Sequence, residues 1–160
     1  MQHGKNNSAD PFERIERAIL RIGWLGQRQF MQLLAEERFD LTIPQFHTLL
    51  HLSYCATKCK MSDLARATHQ SAASLTGVVD RLLEKNLVAR ARPDGDRRQV
   101  MVVLTDDGRA LLARVAEARR IEMHAALAHI PLEDISELLR LLDAVIEGMA
   151  QAVDSRELRT

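Results

Sequence analysis

The sequence predicts a mainly α-helical fold that carries one small β-hairpin. Three observations lead there. Apolar residues recur at helical spacing over long segments at both ends. Two short capped helices in the middle are separated only by "THQS". A β-branched run, "RQVMVVLT", follows a charged Asp-Gly turn.

The first helix is expected over about Asp10 to Glu37, where Phe12, Ile15, Ile19, Ile22, Phe30 and Leu33 or Leu34 fall on one face. "SADPF" opens it with capping residues and Pro11 in the first turn. A second helix starts at "TIPQ", where Thr42 and Gln45 have the spacing of a capping box, and runs to about Tyr54. "CATKCK" then interrupts the pattern. In "MSDLARATH" Ser62 is the expected N-cap, and in "SAASLTGVVDRLLEKN" it is Ser71, with Leu75, Val78, Val79, Leu82 and Leu83 facing inward. "LVARARP" and "RQVMVVLT" read as strands joined through "DGD". Thr105 can cap a further helix to about His129, with Asp106 and Asp107 favoured in its first turn by the helix dipole. Pro131 ends it, and a last helix carries Ile135, Leu138, Leu142, Val145 and Met149 in a wide stripe.

Helix, turn, helix, hairpin is the order of a winged helix-turn-helix. The expected organisation is a loose tail over 1–9, a winged helix-turn-helix over 41–105, and a helical dimerisation region made of 10–40 and 106–155. The long terminal helices exceed what a domain of about 50 residues needs for its own core. A second copy is expected to bury them in a symmetric homodimer.

Composition limits the function classes. Of 160 residues, 46% are hydrophobic and 28% charged, as in a globular chain with one core. There is no apolar run of membrane-spanning length, and "MQHGKNNSADPF" lacks a signal-peptide core, so a cytoplasmic protein without membrane contact is expected. Two cysteines are too few for a disulfide scaffold. Net charge is zero, yet residues 58–105 hold nine basic against five acidic side chains, and the flanks hold thirteen against seventeen. A basic middle between acidic flanks suits contact with a polyanion there. No nucleophile–base pair, phosphate loop or metalloprotease signature is present, so neither catalytic residues nor a cofactor are assigned.

The hairpin "RPDGDRRQVMVVLT" explains its own arginines if double-stranded DNA is the partner. The minor groove is narrow and strongly negative and offers mostly acceptors, so a long cation with several donors suits it. Asp94 and Gly95 permit the reversal, and Asp96 can hold an arginine extended. On the second helix of the pair, Ser71, Ser74, Thr76, Gly77, Asp80 and Arg81 form the polar face. Gly77 costs about 1 kcal/mol in a helix interior relative to alanine, which implies either close approach to DNA or tight internal packing.

On these residues the chain resembles the MarR family of bacterial transcription regulators. "LTIPQFHTLLHL", "VVDRLLEKNLVAR", the D-x-R of Asp96 to Arg98, and the "LT..GR.LL" of Leu104 to Leu112 carry the likeness. It implies a dimer on an imperfect palindrome, usually a repressor relieved by a small phenolic or lipophilic ligand, an oxidant or a metal. It places the wing arginine at Arg98 with Asp96 as orienting partner and Arg97 beside it, and the recognition helix at Ala72 to Lys85. The expected DNA-contacting set is therefore Ser71, Ala72, Ser74, Thr76, Gly77 and Arg81 with Asp96, Arg97 and Arg98. One departure stands in the turn: Thr68, His69 and Gln70 replace the family's usual apolar residue, glycine and apolar residue.

His47, His51, Cys55 and Cys59 stand four apart, and imidazoles and thiols at this spacing suit a soft metal ion. A structural role for the histidines and a redox role for Cys55 and Cys59 compete with that reading. The resemblance adds an effector pocket where the second helix meets the first and fifth, for which Trp24, His47 and His51 are the candidates for a small organic effector. The rival to DNA binding is a winged helix that presents the same surfaces to a protein partner.

Overall fold

The computed structural model describes residues 10–55, 58–91 and 101–157. The expected tail over 1–9 and the hairpin tip, with Asp94, Gly95, Asp96, Arg97 and Arg98, lie outside the described residues. Six helices and three strands follow in the order α1 (Pro11–Leu34), α2 (Ile43–Tyr54), β1 (Cys59–Lys60), α3 (Met61–Ala67), α4 (Ala72–Glu84), β2 (Val88–Ala91), β3 (Met101–Leu104), α5 (Asp106–Leu127) and α6 (Leu132–Glu157). The chain divides into two compact units, Met1–Arg119 and Arg120–Thr160.

Helix starts follow the caps. Asp10 accepts a hydrogen bond from the Phe12 amide at 3.2 Å, with proline next in the chain. At α2 the capping box is complete: the Gln45 amide donates to Thr42 Oγ1 at 3.4 Å, and the Thr42 amide donates to Gln45 Oε1 at 2.9 Å. Ser71 caps α4 by accepting from the Ser74 amide at 3.2 Å. α1 ends at Leu34, short of Glu37, because the chain turns back through Asp40, whose φ of 45° is held by amide bonds to Glu36 and by Lys85 Nζ donating to its carboxylate at 2.6 Å.

Two boundaries correct the sequence reading. β1 lies inside "CATKCK", pairing Cys59 with Val102 and Lys60 with Met101, so the sheet has three antiparallel strands in the order β1-β3-β2. Because pairing keeps Lys60 extended, α3 begins at Met61. Lys60 takes the cap position without a side-chain bond, and Ser62 lies within the first turn.

One core fills the first unit. Leu33 and Leu34 of α1, Leu49 of α2, Leu64 of α3 and Leu75 and Leu82 of α4 are all essentially inaccessible, together with Val102 of β3 and Val115 of α5. By contrast Phe12, Ile15, Ile22 and Trp24 of α1 are exposed. In the second unit Leu139, Leu142, Val145, Ile146 and Met149 of α6 are exposed as well. Their helical spacing makes this an apolar face, not scattered residues. Among the described residues no helix is long and apolar enough to cross a membrane.

The step from β3 to α5 is closely packed. Thr105 donates through Oγ1 to the Asn86 carbonyl at 2.8 Å, receives the Gly108 amide at 3.0 Å, and donates its own amide to Leu87 O at 3.2 Å. Asn86 takes a φ of 57°, a left-handed conformation that asparagine tolerates at a helix end. A β-carbon at Gly108 would lie 2.2 Å from the Leu87 carbonyl oxygen and 2.6 Å from Leu104 Cδ1. The "LT..GR.LL" pattern is thus a cap plus a close approach of helix to backbone. Gly108→Ala is expected to destabilise the protein by about 1–3 kcal/mol through overpacking, read from the urea midpoint. An unchanged midpoint would mean that the Leu87 backbone gives way freely.

Candidate nucleic-acid interface

The rotation of α4 about its axis is set by Leu75, Val78, Val79 and Leu82, which are buried against α2, α3 and β2. The opposite face is open: Ser71, Ala72, Ala73, Ser74, Thr76, Gly77 and Arg81 are all exposed. The structure therefore brings together every α4 residue assigned to DNA contact. Thr76 spends its hydroxyl proton on the Ala72 carbonyl at 2.8 Å, which leaves its oxygen as an acceptor. A β-carbon at Gly77 would meet nothing within 4 Å. Internal packing of the chain is thus removed as the reason for glycine there.

Charge on this face is arranged as well as shape. Asp80 would repel a phosphate, but Arg90 of β2 donates to its carboxylate at 2.6 Å and offsets it. Arg81 has no carboxylate at ion-pair distance among the described residues. Among the described residues the exposed face therefore ends in a guanidinium without a carboxylate partner, with small uncharged residues over the preceding two turns.

The departure in the turn has a structural answer. His69 adopts a φ of 52°, the left-handed position for which glycine is the usual residue. Gln70 is held by hydrogen bonds in place of apolar packing. Its Nε2 donates to Thr48 Oγ1 of α2 at 3.1 Å and to Thr68 Oγ1 at 3.0 Å. Each threonine in turn donates to a helix carbonyl, Thr48 to Pro44 at 2.8 Å and Thr68 to Leu64 at 2.7 Å. Thr48 is fully buried. This network ties the entrance of α4 to the middle of α2, and single-residue propensities carry no trace of it.

The effector candidates separate. His47 and His51 line a small cavity of about 210 Å³ with Leu50, Tyr54, Thr68 and His69. Trp24 does not line it; it is an exposed residue of α1 with the Arg28 guanidinium 5.3 Å from its ring. A larger groove of about 440 Å³ opens between α2 and α5, walled by Phe46, Leu50, Tyr54, Leu112 and Val115, with Arg109 and Arg119 at its edges. Arg119 also stacks over Phe30 at 4.4 Å. The family resemblance led to a pocket expected where the second helix meets the fifth, but sequence reading did not name this lining, because Leu112 and Val115 are far from α2 in the chain and look like ordinary core positions.

Cys55 and Cys59 lie side by side, with Sγ atoms 2.8 Å apart. Cys59 is buried and Cys55 half-buried. Burial, followed by the hydrogen bond shared with Cys55 and the negative charge of Cys55 and Asp63, pushes the Cys59 thiol up to about 12.

Fold and site together define a winged helix-turn-helix of the kind with which transcription regulators read DNA. The family model described as MarR family matches residues 39–99. Over 132 residues the chain is 31% identical to the HTH-type transcriptional repressor NicR of Pseudomonas putida, covering 80% of this chain and 84% of that one. It superimposes on the YusO protein of Bacillus subtilis with a TM-score of 0.75 at 23% identity, over 85% of this chain and 94% of that one. A Staphylococcus aureus MepR mutant bound to an oligodeoxyribonucleotide gives a TM-score of 0.68 at 19% identity, over 88% and 99%. The two structures speak for the fold, and the relative speaks for the family. The chain belongs to the MarR family and is a DNA-binding transcription regulator.

The raised Cys59 thiol sets a sign for alkaline pH. Below the ordinary thiol value of 9.0 both folded and unfolded chains keep the proton. Between there and about 12 the unfolded chain ionises first, so the folded state loses stability as pH rises. Reduced, metal-free protein is expected to lose more stability from pH 8 to 10.5 than Cys59→Ala does, measured by urea denaturation of both. Parallel losses would contradict the shift.

Proposed function

We propose that the protein acts in the cytoplasm as a homodimeric repressor on a pseudo-palindromic operator, and that a small organic ligand relieves repression. The observation that carries the DNA reading is the division of α4 into a buried apolar face and an open face of small polar residues ending in Arg81. Ser71, Ala72, Ser74, Thr76 and Gly77 suit close contact with phosphates and base edges in the major groove, where hydroxyls discriminate little and small side chains let the helix sink deep. Arg98, with Asp96 and Arg97, is assigned to the adjacent minor groove from its place in the sequence. With few bidentate base readers on α4, part of the specificity rests on DNA shape.

Dimer formation is supported by the apolar faces of α1 and of α6, each exposed within its own unit. A two-fold copy offers the simplest cover, and it presents two copies of α4 to two half-sites. The effector is assigned to the α2–α5 groove. Its volume of about 440 Å³ lies in the ordinary range for small-molecule sites, and its apolar walls with two arginines at the edge suit an aromatic or lipophilic anion. His47 and His51 face the smaller cavity and are not assigned to that ligand.

DNA affinity should fall steeply with rising salt, because arginines that neutralise phosphates release counterions. Arg98→Ala is expected to weaken binding to a selected operator by about 1–3 kcal/mol with an unchanged circular dichroism spectrum. A protein-interaction module would bind no duplex at any salt concentration, and fluorescence anisotropy with labelled DNA decides between the two.

Gly77→Ala separates DNA contact from folding. Removing a helix-interior glycine should stabilise the free protein by about 1 kcal/mol, since the new methyl meets open space. Operator binding should weaken at the same time if the helix approaches DNA closely there. Stabilisation with full affinity would place the duplex farther from Gly77.

A further inference from the structure

Three donors of soft-metal chemistry converge at the end of α2. His51 and Cys55 stand one helical turn apart, and Cys55 is the first residue beyond the helix, with an extended backbone at φ −73° and ψ 126°. Cys59 enters from β1. One ligand atom from each of the three lies within 4.8 Å of the other two. Cysteines serving only to pack the core would not need an imidazole brought to the same point. Nothing in the DNA-reading surface uses this cluster.

We propose that His51, Cys55 and Cys59 form a binding site for one thiophilic d¹⁰ cation per chain, with zinc(II) as the reference ion. The donor set is Cys₂His, which zinc accepts in tetrahedral geometry with a fourth position left to water or an outside ligand. Binding replaces both thiol protons, which pass to solvent, by two metal–sulfur bonds. Tetrahedral zinc holds two sulfurs about 3.8 Å apart, given metal–sulfur bonds of about 2.3 Å. The present separation of 2.8 Å must therefore open by about an ångström as the thiol–thiol hydrogen bond is lost. Burial differs across the site: Cys59 is buried, whereas Cys55 and His51 are partly accessible, so an ion has a route in from the α2 side.

The position of the site gives occupancy a consequence. Cys59 is paired with Val102 of β3, the strand that leaves the hairpin, while His51 and Cys55 belong to the end of the helix whose Thr48 holds the α4 turn. A metal bound by all three clamps α2 to the edge strand of the sheet.

Reduced apo-protein, full length and without DNA, is titrated anaerobically with zinc against a chromophoric chelator and, separately, with cobalt(II) as a spectroscopic probe. One equivalent per chain, a sulfur-to-cobalt charge-transfer band and a raised Tm on zinc addition are expected. Cys55→Ser, Cys59→Ser and His51→Ala should each weaken zinc binding at least tenfold, whereas His47→Ala and His69→Ala should retain the full affinity. Absence of binding at micromolar zinc overturns the site, as does an equivalent that survives in both serine variants. Each variant is checked by its own melting curve, and the cobalt band reports thiolate ligation even where a substitution lowers stability. Because no DNA is present, failure here leaves the DNA-binding reading untouched.

Discussion

What α4 offers to DNA depends on how the helix is rotated about its axis. Four apolar side chains, Leu75, Val78, Val79 and Leu82, enter the core at helical spacing, and three of them keep 2% or less of their surface accessible. Full burial of one such side chain contributes about 1.5–3 kcal/mol. A rotation of α4 that exposed them would cost several times the stability of a single surface contact. The polar face is thus fixed outward before any ligand or duplex is met, and Ser71, Ser74, Thr76, Gly77 and Arg81 inherit their orientation from it.

A second constraint acts at the entrance to α4. Left-handed backbone costs a non-glycine residue about 1–2 kcal/mol, and His69 sits there. Gln70 compensates by donating both amide hydrogens to threonines, the fully buried Thr48 and the half-buried Thr68. Its carbonyl oxygen finds no partner among the described residues, so the network is not fully satisfied. An apolar–glycine–apolar turn would avoid both costs. What the polar version adds is direction: hydrogen bonds to Thr48 specify one position of α4 relative to α2, where apolar packing tolerates small slides.

Most elements were legible because their signals are local. The Thr42–Gln45 box, the Ser71 cap, Thr105 ahead of two aspartates and the apolar period of α4 each depend on residues within one turn of one another, and each was found. β1 was not. Two residues are too few to show alternation, and their strand character comes entirely from pairing with Val102 and Met101, more than forty positions away. The Ser62 cap failed for the same reason, since the pairing of Lys60 decides where α3 starts. Of the site, the polar face of α4 could be read from periodicity, and Gly77 could be singled out but not explained. The place of the α2–α5 groove came with the family resemblance and the soft-metal spacing was visible in the chain, but the groove's lining and the convergence of His51, without His47, on both cysteines needed three-dimensional proximity.

α2 links these features. Its middle holds Thr48 and so the turn before α4; Leu50 and Tyr54 wall both the groove toward α5 and the smaller cavity; its end supplies His51 and Cys55. A ligand seated against either side of this helix therefore acts on the element that sets the direction of α4. The effect on DNA affinity can be no larger than the ligand's preference for one α2 position over another. A tight but indifferent ligand would change nothing. The hydrogen bonds of Gln70 are the route by which such a preference would reach α4, because they join the two helices by donor–acceptor geometry, which weakens steeply with misalignment. A fully apolar turn would transmit the same displacement less faithfully.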